Sequence, residues 1–182
     1  FSGANSPLET IAKQPHRFTK DELAQGIVFP QDFLNKKGKE KLGNHNVGEG
    51  IFGLSTDELT NLALTLEERG LIRPYYTSEQ IHRYYTDKDE NDKWMIYTDS
   101  SFKDPHSLDP FPNLKRHLDQ FLMIFTSDNV PYGLHRSRKE KFFTGEKIIS
   151  LRKCVLHPCF SYSDFDCYVT QTFYSIKTDR WN

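Results

Sequence analysis

The segment Ser127–Lys139 reads SDNVPYGLHRSRK and is predicted to form an ordered loop. Asp128, Asn129, Pro131 and Gly133 all favour turns, so the segment suits neither a helix nor a strand. Mostly helical patterns precede the loop, and mostly strand patterns follow it. This order indicates an α+β fold: a mixed, mostly antiparallel sheet with several peripheral helices, in a single domain with an N-terminal arm.

A local excess of positive charge begins in this loop. Residues 130–153 contain seven Lys or Arg against two Glu, a net of +5, whereas the formal charge of the whole 182-residue chain is −1. Such a patch favours a polyanionic partner, and nucleic acid is the commonest one.

Helices are predicted mainly before the loop. Ser55-Thr56-Asp57-Glu58 is a capping box, and it begins a helix near residues 56–69 in which leucines recur at helical spacing. A shorter helix is predicted near residues 78–84, and Pro112 opens another that continues to about Phe125. A further short helix is predicted at Asp21–Ile27, capped by Thr19.

Strands are predicted at Lys93–Thr98 and, after the loop, near residues 147–152, 159–162 and 167–176. Prolines interrupt residues 1–47, which are expected to form an arm or partial subdomain. Residues 48–182 are expected to form the main domain.

Composition bounds the cellular setting. No apolar run approaches the roughly 18 residues of a membrane span, and the N-terminus has no secretory signal pattern. Three cysteines, an odd number, fit a reducing cytoplasm better than a disulfide scaffold. The chain begins without methionine, so a fragment or processed chain is expected.

Several motifs occur in an order and spacing that resemble a known family. They are GEGIFGLS (48–55), IRPYY (72–76), IHRY (81–84), WMIY (94–97), PNLKRHL (112–118), the loop itself, FFTGEKIISLRK (142–153) and FDCYV (165–169). Together they resemble the C-terminal specificity domain, or target recognition domain, of TaqI-like type II and type IIG restriction–modification DNA methyltransferases. The resemblance covers about residues 48–180.

The resemblance implies a division of labour with a catalytic domain. An N-terminal methyltransferase domain outside this chain would bind S-adenosylmethionine and methylate adenine, and no cofactor is expected in the present chain. Residues 1–47 would link to that domain, and residues 48–182 would recognise double-stranded DNA, with related proteins continuing into further helices beyond Asn182. A bacterial or archaeal cytoplasm is the implied setting.

The DNA-binding candidates come from the charged loop and its surroundings. Cations can neutralise phosphates, while Asn, His and Arg can also read base edges. The base-edge candidates are Asn129, His135, Arg136 and Arg138, with Tyr132 as a packing or phosphate residue. Further phosphate candidates are Lys139, Lys141, Arg152 and Lys153, and Arg83 and Tyr84 form a second set on the predicted short helix, which could enter a groove.

Other readings of the same residues stay open. Arg136 and Arg152 could instead pair internally with Asp128, Asp164 or Asp166. Cys154, His157, Cys159 and Cys167 offer four possible zinc ligands, although their spacing is not that of familiar zinc knuckles. Gly48–Gly53 spells G-x-G-x-x-G, but a turn precedes it where a dinucleotide site needs a buried strand.

Catalytic motifs do not emerge from the sequence. There is no Pro-Pro pair for an amine-methylating loop and no Asp/Glu-x-Lys pair for a metal-dependent nuclease. We therefore expect a non-catalytic part of a methyltransferase, whose parent could also carry an endonuclease. The alternatives are a metal-dependent hydrolase using His135 and Asp128, and a protein-interaction module in which Phe142 and Phe143 dock a partner.

Overall fold

A computed structural model of the protein describes residues 7–15, 17–154 and 157–180. Its α-helices are α1 (Pro7–Ala12), α2 (Lys36–Leu42), α3 (Thr56–Asn61), α4 (Leu66–Arg69) and α5 (Pro112–Asp119). Its strands are β1 (Leu23–Gln25), β2 (Gly53–Ser55), β3 (Ile72–Tyr76), β4 (Tyr84–Tyr85), β5 (Lys93–Ile96), β6 (Lys147–Leu151), β7 (Phe160–Ser163), β8 (Tyr168–Val169) and β9 (Phe173–Ile176). Short 3₁₀ helices lie at Ser100–Lys103, Leu122–Ile124 and Glu140–Phe142.

The larger sheet has five strands in the order β1-β9-β6-β7-β4. Its pairings are antiparallel except for β4, which runs parallel to β7. One face is buried, because Ile149, Ser161 and Ser175 are all 0% exposed. One buried face is typical of an antiparallel sheet that covers a core on one side.

The smaller sheet has four strands in the order β2-β5-β3-β8, with β3 and β8 parallel. Both sheets contribute to one cluster of buried side chains. The prediction of an α+β fold with a mixed, mostly antiparallel sheet is therefore confirmed, with two sheets in place of one.

Part of the predicted N-terminal arm lies inside this body. Strand β1 forms an edge of the five-stranded sheet, and Ile27 and Leu34 are almost fully buried in the common core. The segment around Ile27 thus packs with strands that lie about 150 residues later in the chain.

The helix predicted near residues 56–69 forms as two shorter helices. Ser55 and Glu58 make the predicted capping box at the start of α3. Ala63 then adopts a left-handed backbone with φ of 48°, and Thr65 and Glu68 form a second capping box that begins α4. The chain therefore turns between two separately capped helices.

The prediction of helix α5 is correct at its start and too long at its end. The helix begins at Pro112 and ends at Asp119, and a 3₁₀ turn at Leu122–Ile124 follows it. Within the described ranges, no helix has both the length and the apolar character needed to cross a membrane.

Two predicted helices are wrong. Residues 78–84 form a turn that leads into strand β4, and Leu23–Gln25 forms strand β1 where a helix at Asp21–Ile27 was expected. In both cases, pairing with a distant strand outweighs a weak local preference for helix.

The strand predicted at 167–176 is divided by a turn. Tyr168–Val169 pairs with the small sheet, whereas Phe173–Ile176 belongs to the large one. The turn at residues 170–172 thus connects the two sheets, and Thr170 and Thr172 join their hydroxyl groups across it at 2.8 Å.

Candidate nucleic-acid interface

One end of the five-stranded sheet collects cationic and amide side chains. The register places the ends of β1 and β6 beside the starts of β9, β7 and β4. The residues that flank these strand ends, with one loop arginine that contacts them, are here called the basic end. They are Gln25, Arg83, Arg138, Arg152, Lys153 and Gln171.

The opposite end of the same sheet carries both acids and cations. Glu22, Glu146, Asp164 and Asp87 lie next to the other termini of β1, β6, β7 and β4, respectively. Lys88, Lys177 and Arg180 lie at that end as well, and Arg180 pairs with Glu22 at 2.7 Å, so the charges there are mixed. A polyanion would be drawn more strongly to the basic end, whose charged members are all positive.

A chain of hydrogen bonds links the two halves of the basic end. Arg138 Nη2 approaches Gln25 Oε1 at 3.4 Å, and Gln25 Nε2 donates to the Gln171 carbonyl at 3.1 Å. Arg152 Nη1 donates to that same carbonyl at 3.2 Å. The Gln171 turn therefore lies between two arginines that are distant in sequence.

Two shallow grooves flank the Gln171 turn. One, of about 380 Å³, is lined by Leu151, Arg152, Lys153, Gln171 and Thr172. The other, of about 280 Å³, lies between that turn and the segment 27–32. Gln171 and Thr172 line both grooves, so this turn stands as a ridge between them.

Arg138 occupies an unusual position. Its backbone has a φ of 67°, which is uncommon for a residue with a side chain. Burial, and to a lesser degree the nearby Arg136 guanidinium, lower the pKa of Arg138. Its Nε is buried and has no hydrogen-bond partner in the described chain. Its guanidinium forms no ion pair with any described carboxylate. A half-buried arginine without an anion is suited to accept one from a ligand.

Tyr97 helps to fix this position. Its hydroxyl donates to the Arg138 carbonyl at 2.8 Å, and its ring is almost fully buried. The contact ties the loop to residues at the end of β5.

The other predicted loop cations follow the N-terminal strand. Arg136 forms a two-way backbone bridge with Val28, and its exposed guanidinium makes no ion pair with any described residue. Lys139 lies 3.7 Å from an Asp21 carboxylate oxygen, and Lys141 donates to the Asp21 carbonyl at 3.0 Å. Lys139 and Lys141 are thus displaced towards the opposite end of the sheet, while Arg136 and Arg138 stay near the basic end.

Of the remaining loop candidates, Asn129 and Tyr132 hold the loop together. The Asn129 amide donates to the Leu134 carbonyl at 2.8 Å. Tyr132 is 3% exposed, and its hydroxyl bonds Asp119 at 2.6 Å and Lys115 at 3.0 Å, so it has the packing role that the sequence allowed. His135 is partly buried, and its Nδ1 has no hydrogen-bond partner among the described residues.

Arg83 and Tyr84 lie at the sheet edge and not on a helix, so the prediction of a short helix in a groove is wrong. Tyr84 is 69% exposed, and the Arg83 guanidinium lies 5.0 Å from the centre of its ring. The register of β4 with β7 places both residues at the basic end.

Two parts of the positively charged segment 130–153 are buried. Lys147 is 0% exposed, its ammonium donates to the Gly145 and Phe165 carbonyls, and burial lowers its pKa to about 8. Phe142 and Phe143 are 4% and 0% exposed, so they cannot dock a partner as the protein-interaction reading required.

The structure does not assemble the possible metal ligands noted in the sequence. Cys154 is exposed and Cys167 fully buried, and in the described ranges these two, His157 and Cys159 do not converge on a common point. Burial raises the pKa of the Cys167 thiol to about 12. The group with ligand geometry in the described chain is His82, Asp87 and Glu90, which does not include His135 or Asp128.

The fold is similar to part of one solved restriction–modification enzyme. A solved structure described as the type IIL restriction–modification enzyme MmeI in complex with DNA matches 87% of this chain, with a TM-score of 0.51 and 7% sequence identity. At this identity the likeness concerns the fold alone. The chain spans about a fifth of the length of that enzyme, with 19% of it covered. No family model matches the sequence, and no curated protein matches it.

Proposed function

We propose that this chain is a DNA target recognition module of a restriction–modification adenine methyltransferase. The basic end of the five-stranded sheet would face duplex DNA. A catalytic domain outside this chain would bind S-adenosylmethionine and modify the base, and the part of the N-terminal arm that precedes β1 would connect the two. The proposal includes the bacterial or archaeal cytoplasmic setting that the TaqI-like motifs imply.

The observation that carries the proposal is the state of Arg138. Its backbone is strained, its Nε is buried without a partner in the described chain, and Arg136 lies near it. A phosphate at the accessible part of this guanidinium would supply the counter-charge that the described chain does not, and it would offset the repulsion between the two guanidinium groups. A purely structural arginine would more simply pair with a carboxylate.

Further support comes from the arrangement around Arg138. Arg152, Lys153 and Arg83 lie on the same sheet end, where they could follow a phosphate backbone, and Tyr84 could support Arg83 by its ring. Arg136, Lys139 and Lys141 would extend the contact along the neighbouring edge. Asn129 and Tyr132 would act by holding the loop in shape, and His135 would remain a candidate for contact with a base edge. The likeness in fold to part of a DNA-bound restriction–modification enzyme is consistent with this use.

The test is binding of the 182-residue chain to a labelled duplex, measured by fluorescence anisotropy at low salt. The double variant Arg138→Ala/Arg152→Ala should lose affinity by roughly tenfold or more, because two phosphate contacts are removed. The matched control is Lys88→Ala/Lys177→Ala, which removes the same charge from the opposite end of the sheet.

Equal losses in the two variants would mean that net charge alone governs binding, and the proposed surface would be wrong. Unchanged affinity in Arg138→Ala/Arg152→Ala would also contradict it. Circular dichroism spectra of both variants should match the wild type, so that a loss of fold is not taken for a loss of contact.

A further inference from the structure

The Gln171 side chain is the one part of the basic end that offers both a donor and an acceptor without using them internally. Its backbone carbonyl accepts from Gln25 and Arg152, but its amide group has no hydrogen-bond partner within residues 7–15, 17–154 and 157–180. The residue is exposed. Its side chain is therefore free to meet a ligand.

The backbone beneath this side chain is well fixed. The Thr170 and Thr172 hydroxyl groups meet at 2.8 Å across the turn, and the two bonds to the Gln171 carbonyl anchor its tip. The backbone N–H of Arg152 also donates to the Thr172 carbonyl at 2.9 Å. A fixed backbone reduces the entropy that this residue loses on binding, and an unpaired amide is available to a base.

The surroundings of Gln171 indicate what it would meet. Arg152 is held on one side, and Arg138 reaches the other side through Gln25. Two cations can hold the phosphates on either side of a groove, while the ridge between them enters it. A glutamine in that place can pair with adenine, donating to N7 and accepting from the N6 amine.

We propose that Gln171 is a base-reading residue that selects an A·T pair in the major groove of duplex DNA, positioned by Gln25 and Arg152. The inference rests on the proposed DNA recognition function and adds the residue and the base that set part of the specificity. Gln25 is a positioning residue here, since its amide is engaged by Arg138 and by the Gln171 carbonyl.

The experiment is selection of bound duplexes from a random library by the wild-type chain, followed by sequencing. The same selection is run with Gln171→Ala and Gln171→Glu. The control is Gln120→Ala, which truncates an exposed amide at the C-cap of helix α5.

The wild type should enrich an adenine at one position. In Gln171→Ala that preference should fall by roughly 5- to 150-fold, the range for losing one good bidentate pair. In Gln171→Glu the preference should move towards cytosine, whose N4 amine donates to a carboxylate. A variant that was merely less stable would not prefer a different base. A change of preference from adenine to cytosine would therefore distinguish contact with the base from a structural role.

Identical base preferences in the wild type and Gln171→Ala would overturn the inference while leaving the proposed function intact. Binding without any enriched sequence would overturn it as well. A wild-type chain that retains no duplex would defeat the proposed function itself, and the inference with it. Gln120→Ala should select as the wild type does, and a changed preference there would also count against a special role for Gln171.

Discussion

At the scale of single residues, Arg138 has an unfavourable backbone conformation and a side chain that binds DNA under the proposed function. A non-glycine residue with a φ of 67° destabilises the fold by about 1 kcal/mol or more, and glycine at this position would relieve that strain. A strained residue is retained most readily where its side chain has a use beyond packing.

Comparing Arg138→Gly with Arg138→Ala separates strain from charge. Both variants lose the guanidinium, so both should bind duplex DNA more weakly by the same factor. Urea denaturation should find Arg138→Gly more stable than Arg138→Ala by about 1 kcal/mol, because only alanine keeps the unfavourable backbone. If the two variants differed in DNA affinity and not in stability, the assigned role of the side chain would be wrong.

Lys147 makes a separate prediction about pH. Burial lowers its pKa from 10.5 to about 8, so between these values the unfolded chain binds more protons than the folded one. Stability from this group must then rise with pH across that window. Raising the pH from 7 to 9.5 should improve the free energy of unfolding of the wild type relative to Lys147→Met.

The measurement is chemical denaturation of both proteins at several pH values. Subtracting the variant removes contributions that both chains share, such as the tyrosines whose pKa burial raises. A difference that stays constant from pH 7 to 9.5 would show that Lys147 titrates normally, in conflict with its burial.

At the scale of elements, one buried carboxylate joins two helices. The Glu68 carboxylate lies at the start of α5. There it accepts hydrogen bonds from the backbone N–H groups of Asn113 at 2.6 Å and Leu114 at 3.1 Å. It also closes the capping box of α4 with Thr65. Burial alone would raise the pKa of Glu68, but hydrogen bonds from Thr65, Asn113 and Leu114 lower it overall.

Glu68→Ala should therefore destabilise the protein by roughly 2–3 kcal/mol, since buried donors lose their acceptor. The neighbouring exposed Glu67→Ala serves as the control and should change stability little. Because the folded pKa is lowered, the contribution of Glu68 is complete above its unfolded value of 4.5 and is lost as the pH falls below it. Equal unfolding midpoints for the two variants would contradict this assignment.

Tyr97 provides a test of how the loop is held. Tyr97→Phe removes the donor to the Arg138 carbonyl and leaves every charge in place. We expect a stability loss of about 1 kcal/mol and a fall in DNA affinity smaller than that of Arg138→Ala. Fluorescence anisotropy titrations of the wild type, Tyr97→Phe and Arg138→Ala measure the three DNA affinities. An affinity of Tyr97→Phe equal to that of the wild type would mean that this hydrogen bond does not position Arg138.

At the scale of the whole molecule, local signals predict local structure well. The Ser55 capping box and the proline at the start of α5 place the first residues of α3 and α5 correctly, and the strand predicted near residues 147–152 forms as β6. The predictions fail where a distant partner decides. Strand β1 forms because β9 is available to pair with it, and β4 forms because β7 is.

The same limit applies to the candidate site. Charge along the sequence pointed to the loop arginines, but nothing local marked Gln25 or Gln171, which are 146 residues apart and joined by one hydrogen bond. Lys147 shows the opposite error, since a cation in a basic segment lies in the core. Local charge density alone could not separate the exposed cations from the buried one.

The central claim is that cations at one end of the sheet contact DNA phosphates, and its most direct measurement is the salt dependence of duplex binding. Each phosphate contact contributes about 0.9 to the slope of log K against log salt concentration. Arg138→Ala/Arg152→Ala should reduce that slope by about 2, and Lys88→Ala/Lys177→Ala should leave it unchanged. A slope that is the same in the wild type and in Arg138→Ala/Arg152→Ala would contradict the account.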